Sequence, residues 1–398
     1  MLEVQIVKPD SSISLADFGD ISDRATAMMA AVRQKMLDPH PRKHAPTYSL
    51  AQVAELCKIE KSKAAYYVSN NTFKLPTGTT SGRNNKREFT LVETQEWIKH
   101  FSPFGKRPEM CAAIKAAIAN FKGGVTKTTT TMALAQGLSL RGRKVLLVDL
   151  DPQGSLTALN GIISDQEVTE EQTIYPLIDG RETSLKYAIQ PTYWNGIDLI
   201  PASISMYGAE FLLPSMQVKN PSFEFWDVLN KGLNPLLNDY DVILFDTPPS
   251  LSYMTINALL AADAMIVPTP PNALDFASSS QFWSLIADLT GSMIKKKPSL
   301  KDKRYAFVSI LLTKTDQTQI STNVVRDWIR KTYGALVLDT EIPITSVAQT
   351  SAAEFGTVYD DTSAKSSAKT YNRAREAYDN FAAAIDEKIK SAWSKQHG

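Results

Sequence analysis

FKGGVTKTTTTMALAQGLSLRG, residues 121–142, decides how this 398-residue chain is read. A glycine pair, a lysine and a run of hydroxyl residues stand between an apolar run and a helical pattern. Gly123 and Gly124 let backbone amides curl around an anion, and the N-terminus of the next helix adds its dipole. Lys127 is placed to neutralise β- and γ-phosphates, and the Thr128 hydroxyl to ligate Mg²⁺. The general phosphate loop needs Gly where this chain has Phe121 and Thr126. The stretch fits a variant instead, KGGxxK followed by Thr or Ser, with an additional lysine, Lys122, at its start.

Outward from the loop, short apolar runs alternate with helical patterns over nearly 300 residues. The expected strands are 111–120, 144–150, 196–202, 241–247, 264–270 and 305–313. Several lack period-2 alternation, as parallel strands buried on both faces do. The alternation argues for a doubly wound, mostly parallel α/β domain. Two carboxylate motifs close expected strands, where open α/β sheets build their sites. VDLDPQG (148–154) supplies Asp149 and Asp151; FDTPPS (245–250) supplies Asp246, a Walker-B type carboxylate.

KGGVTKTT, VDLDPQGS and FDTPPS together resemble the three motifs of the ParA/MinD family of deviant Walker-A ATPases, and specifically its ParA-type DNA-partition members. The resemblance continues through GIDLIPAS (196–203), PTPPNALDFASS (268–279) and ILLTKTD (310–316), covering roughly residues 110–350. It implies a homodimer with ATP and Mg²⁺ between the subunits, formed by Lys122, Gly123, Gly124, Val125, Thr126, Lys127, Thr128 and Thr129. By the same resemblance Lys122 reaches the other subunit's phosphates, Asp151 orients the attacking water, and Thr128, Asp149 and Asp246 organise the metal. A cation supplied in trans to a transferring phosphoryl group is worth about 10³–10⁵ in rate.

Net charge is +1 overall, but residues 41–107 hold twelve basic and five acidic residues. A basic block of that size suits a nucleic-acid surface. Within it, 47–71 has a helix–turn–helix cadence: Leu50, Val53, Ala54 and Cys57 face inward, Lys58–Glu60 turn, and Ala64, Ala65 and Val68 pack a second helix. That leaves Lys61, Ser62, Lys63 and Tyr66 toward a major groove. FKLPTGTTSGRNNKREFT (73–90) reads as a basic wing around Gly78 and Gly82, with Arg83, Lys86 and Arg87 on phosphate. Residues 90–101 close the module as a helix. It is similar to the MerR-like winged helix of the longer ParA proteins that repress their own operon.

The expected organisation is an N-terminal helix within 1–40 (21–37, capped by Ser22) that serves as a dimer contact, a winged helix–turn–helix at 41–107, and the ATPase domain at 108–398. Linkers PHPRKHAP (39–46) and SPFGKRP (102–108) separate them. A final helix, roughly 366–393, carries Tyr371, Tyr378, Phe381, Ile385 and Ile389 as a core stripe. Lys365, Lys369 and Arg373 along it, and the run 295–304, are candidates for nonspecific DNA.

No run of about 18 apolar residues and no secretory pattern occurs, and two cysteines cannot build a disulfide framework, so a cytoplasmic, nucleoid-associated protein without membrane contact is expected. TKTD (313–316) resembles a guanine-reading motif, but the standard loop that accompanies it is missing, so ATP is expected. Cys57 and Cys111 lie where they cannot bridge an iron–sulfur cluster as in nitrogenase iron protein. The implied activity is a weak ATPase stimulated by a ParB-type centromere-binding partner, with operator binding besides. A nucleotide-sensing repressor with little turnover and a MinD-like membrane positioner are the alternatives.

Overall fold

The computed structural model describes residues 13–15, 17–37, 42–81, 86–101, 105–316, 318–345, 356–360 and 368–396. The chain divides into two compact units, Met1–His44 and Ala45–Gly398.

The first unit is carried by the helix Asp17–Leu37, which begins four residues before the expected Ile21. The Asp17 carboxylate accepts hydrogen bonds from the Ser14 amide (2.6 Å) and hydroxyl (2.8 Å). With Asp20 it puts two acids in the first turn, where the helix dipole favours them. Ser22 therefore lies inside the helix and caps nothing.

The second unit opens with a three-stranded antiparallel sheet, order β1 (Tyr48–Ser49), β3 (Lys86–Phe89), β2 (Thr79–Ser81). The helix Leu50–Leu56 starts from a capping box between Ser49 and Gln52. Val53, Ala54 and Cys57 are buried as expected, while Leu50 is half-buried. The helix Lys61–Asn70 follows and runs two residues past Val68 to Asn71, a left-handed C-cap at φ +47°. The helix Leu91–Phe101 closes the group, its Trp97 fully buried and donating to the Pro76 carbonyl at 2.8 Å.

The large sheet has eight strands among the described residues, in the order β11-β10-β9-β4-β8-β5-β7-β6. They are β4 (Ile114–Ile118), β5 (Val145–Asp149), β6 (Gln190–Pro191), β7 (Ile197–Ile200), β8 (Val242–Asp246), β9 (Ala264–Thr269), β10 (Phe307–Thr315) and β11 (Val337–Pro343). All pairs are parallel except β6 with β7. The six expected strands are there, each shorter or shifted at its ends, save β10, which ends two residues later. β6 and β11 are new: β6 is a two-residue strand at one edge, and VLDTEIP of β11 breaks the apolar pattern because it is the other edge strand. Its Glu341 pairs with Arg330 and Arg326 from the helix Ile320–Tyr333, and charge of this kind blunts an edge.

Alternate residues of the central strands feed two cores. Ile114, Ala116, Ile118, Leu147 and Leu244 join the helices Lys127–Ser139 and Ala368–Gln396 on one face; Ala117, Leu146, Val148, Ile243 and Phe245 join the helices Tyr253–Ala261 and Ala273–Lys296 on the other. This is the expected doubly wound α/β architecture. The first core also contains Tyr48, Val53, Phe89 and Trp97 of the small sheet group. Tyr378, Phe381, Ile385 and Ile389 of the terminal helix are buried there and Tyr371 is half-buried. Among the described residues no helix is long and apolar enough to cross a membrane.

Candidate active site

The site lies beyond the carboxyl ends of β4, β8 and β5, where the strand order switches from one side of β4 to the other. Registration makes it compact: Ile118 pairs with Asp246, and Asp246 with Asp149, so both carboxylates end adjacent strands on the same rung.

After β4 the chain turns through 119–126 into the helix Lys127–Ser139. Asn120 fixes the entry, donating to the Pro268 carbonyl (2.9 Å) and accepting from the Lys122 amide (3.0 Å). Gly124 takes φ +74°, the turn expected of a glycine. Thr126 also takes φ +74°, so it occupies with a β-branched residue the left-handed position where the general loop places Gly. Lysines close the loop from three sides. The buried Lys127 ammonium donates to the Lys122 carbonyl at 3.0 Å. Lys314, from the end of β10, donates to the Gly124 carbonyl at 2.8 Å. The Lys122 ammonium forms an ion pair with Asp275. Lys122, Gly124, Asp275 and Lys314, with Asp316 and Gln319, line a cleft of about 470 Å³.

Asp149 and Asp246 are fully buried. Asp149 accepts from the Thr157 hydroxyl (2.7 Å) and amide (2.9 Å) and from the Asp151 amide (3.2 Å). Asp246 Oδ1 accepts from the Thr131 hydroxyl at 3.2 Å, and Thr128 bonds the same carboxylate. Oδ2 of Asp246 has no hydrogen-bond partner among the described residues. Burial pushes Asp149 up to about 8, with the neighbouring Asp246 charge adding to it. Burial likewise raises Asp246 to about 7, against the Thr128 hydrogen bond and Lys127. Desolvation lowers Lys127, with Asp246 and Asp151 opposing. Two buried carboxylates beside a buried ammonium, with one orphaned oxygen, form a site short of positive charge, which a divalent cation fits. The curled amides and the helix N-terminus suit phosphate oxygens.

Of the residues singled out in the sequence, Lys122, Gly123, Gly124 and Val125 line the cleft, whereas Lys127, Asp149 and Asp246 are buried. Asp151 is half-buried at the turn after β5, accepting from the Gln153 amide at 3.0 Å. Sequence reasoning missed Asp275, Thr131 and Thr157. Asp275 stands three residues after Asn272, and that spacing reads only as a helix start, which it also is: Asn272 Oδ1 accepts from the Asp275 amide at 2.9 Å.

The residues singled out for DNA lie elsewhere. Lys61, Ser62, Lys63 and Tyr66 are all exposed, on the outer side of a helix whose Ala64 and Val68 face inward. Lys86 is exposed on β3, whereas the Arg87 guanidinium donates to the Thr77 carbonyl at 2.7 Å within the same hairpin. Arg83 and Lys365 fall outside the described residues. Lys369 and Arg373 are exposed on the terminal helix. In the 295–304 run, Lys297 is tied to Glu224 and the half-buried Lys303 lies over the Tyr305 ring.

A family model described as an AAA domain matches residues 113–301. Protein SopA of Escherichia coli is 29% identical over 364 residues, spanning 89% of this chain and 92% of its own length. An uncharacterized protein of Pseudomonas putida is 35% identical over 227 residues, 57% of this chain and 80% of its own. Among solved structures, cobyrinic acid a,c-diamide synthase from Mycobacterium smegmatis, with bound ADP and magnesium, is 29% identical with a TM-score of 0.53 over 69% of this chain and 94% of that one. A structure described as a partition protein shares the fold over 95% of this chain and 98% of its own, with a TM-score of 0.64 at 19% identity.

Proposed function

The chain belongs to the ParA family of P-loop ATPases, and from that premise we propose that it is a DNA-partition ATPase that closes as a homodimer over ATP and Mg²⁺. The observation that carries the reading is Lys122. A lysine at the head of the loop, with its ammonium at the mouth of the cleft and a second lysine, Lys127, already buried in the loop, is surplus to holding phosphate in cis. Its use is in trans.

The residues divide the work as follows. The amides of Gly123 to Thr129 and the Lys127 ammonium hold the β- and γ-phosphates. Thr128, with Asp246 and Asp149 behind it, holds Mg²⁺, and Mg²⁺ when bound neutralises charge on the transferring phosphoryl group. Asp151 orients the attacking water. Lys122 of each copy stabilises the other's transition state. Large exposed apolar side chains in the segments that follow the strands support a face-to-face closure: Ile204, Tyr207 and Phe211 come after β7, and Leu274, Ile320 and Ile344 after β9, β10 and β11.

The chain's further roles belong to the same reading. Turnover is weak until a ParB-type centromere-binding partner stimulates it. The group of helices and strands at 45–101 is a winged helix–turn–helix that binds an operator through Lys61, Ser62, Lys63 and Tyr66. The helix Asp17–Leu37, with Phe18, Ile21, Met28 and Val32 exposed along it, is a dimer contact. The protein works in the cytoplasm on the nucleoid.

The test is binding to an unrelated DNA duplex with ATP, ADP or no nucleotide, on the natural chain and on Lys122→Gln. Tight, salt-sensitive binding with ATP alone, lost in the variant, is the expected result. Equal binding in every state would overturn nucleotide gating and leave a repressor whose N-terminal module alone holds DNA; the exposed Lys61–Tyr66 face favours that second reading.

A further inference from the structure

Within the group at 45–101, rings from the helices Lys61–Asn70 and Leu91–Phe101 and from the turn after the first of them pack together. Phe101 stacks on the fully buried Trp97, centroids 5.6 Å apart, and on Tyr67 at 5.4 Å. Phe73 meets Tyr67 edge-on at 4.9 Å, and the His100 ring lies tilted on Phe73 at 4.5 Å. The outer rings reach solvent: Tyr66 is 61% exposed and Phe73 41%, and His100 is exposed with them. The turn that carries Phe73 is closed by the Lys74 amide, which donates to the Asn71 carbonyl at 3.2 Å; both residues are left-handed, at φ +55° and +47°. The charge beside these rings is one-sided. Lys63 lies one turn before Tyr66, and Lys74 and Lys99 adjoin Phe73 and His100 in the chain; all three are exposed, against Glu96 one turn before His100.

We propose that this aromatic platform binds single-stranded nucleic acid, the outer rings stacking on unpaired bases while the lysines meet the phosphates between them. Every base has a π-face, and aromatic side chains flanked by cations hold a strand without reading its sequence. A duplex keeps its bases paired and stacked, and taking one out costs energy, so the platform selects unpaired strands. Trp97, Tyr67 and Phe101 brace the outer rings before a ligand arrives, so little side-chain freedom is lost on stacking. Tyr66 also belongs to the exposed Lys61–Tyr66 face, so a strand on the platform continues onto a surface that is already basic. A second copy of the patch would set like charges face to face. An anchor on a membrane uses a continuous apolar face, whereas hydroxyl, imidazole and lysine groups interrupt this one.

The experiment uses the full chain without nucleotide, so that ATP-gated duplex binding does not contribute. Fluorescence anisotropy follows a labelled thymidine strand of about fifteen nucleotides, its uridine counterpart, the same backbone made abasic, and an unrelated duplex. The natural chain is expected to bind the thymidine strand at least about tenfold more tightly than the abasic one, since phosphates alone lack the stacking faces. The thymidine and uridine strands compared show whether DNA or RNA is the preferred source. Phe73→Leu keeps an apolar side chain without a π-face and is expected to weaken strand binding about tenfold while duplex binding stays unchanged; Phe73→Trp keeps the strand affinity. Equal affinity for the abasic and thymidine strands, or for Phe73→Leu and the natural chain, would overturn the proposal. So would a Phe73→Leu chain that binds strands normally but no longer pellets with anionic phospholipid vesicles, or no longer self-associates in sedimentation, since the patch would then serve a membrane or a second copy. If Phe73→Leu fails to fold, the abasic comparison on the natural chain decides the point alone. None of these outcomes touches the partition reading, because the platform lies outside the nucleotide cleft.

Discussion

At Thr126 and at the two buried aspartates the chain carries local costs that only its site explains. Thr126 holds a left-handed backbone that costs a β-branched residue about 1–2 kcal/mol relative to its usual conformations. Strain of this kind persists where the surroundings over-determine it, and here the loop and the helix after it do. Asp149 and Asp246 are raised by burial to about 8 and about 7, against about 3.9 in an unfolded chain. From about pH 4 to about 8 the folded chain thus binds more protons than the unfolded one, so their contribution to stability falls as pH rises through that window. Asp246→Asn, which mimics the protonated acid and keeps the Thr131 contact, is expected to raise Tm by about 2–4 °C at pH 8, the shift of roughly 1 kcal/mol. At pH 4.5 the gain should nearly vanish. The same variant is expected to lose the Tm increase that Mg²⁺ with ATP gives the natural chain. A scanning-calorimetry pH series on both proteins checks this, and a gain largest at low pH would refute it.

At the scale of elements, the loop helix Lys127–Ser139 and the terminal helix Ala368–Gln396 cross at Gly137, where an added Cβ would stand 2.6 Å from Ala382 Cβ and 2.8 Å from Tyr359 Oη. Gly137→Ala is expected to cost about 1–3 kcal/mol by overpacking, read from urea unfolding at unchanged m-value. The terminal helix is also bound through Arg143, fully buried, whose guanidinium meets both oxygens of the equally buried Asp386 at 2.6 and 3.1 Å. Arg143→Ala leaves that carboxylate to Lys390 alone, at 3.3 Å, and is expected to cost about 3 kcal/mol. A cost below 1 kcal/mol in the single variant would mean that water reaches Asp386.

For the whole molecule, the small sheet group and the α/β sheet share a hydrophobic core. Gln95 of the helix Leu91–Phe101 adds polar contacts, donating to the Asn195 backbone carbonyl at 3.0 Å and accepting from the Asn195 side-chain Nδ2 at 2.6 Å. Residues 45–398 are therefore expected to melt in one calorimetric transition, whereas two resolved transitions would mean that the group at 45–101 folds on its own.

The loop, the carboxylates and the strand alternation were legible in the linear chain because each is local. Gly123, Lys127 and Thr128 act within one turn, and a strand buried on both faces declares itself in its own composition. Boundaries were less legible: Asp17 rather than Ser22 starts the first helix because Ser14 reaches back to it. β11 was hidden because its charges make sense only beside Arg326 and Arg330. The sequence by itself determined the fold class and the phosphate chemistry, since periodicity and a contiguous motif need no partner from afar. Only the tertiary structure decided which groups those residues face. Asp275 against Lys122, Lys314 against Gly124 and Asp149 beside Asp246 are contacts between residues far apart in the chain, brought together by strand register and burial.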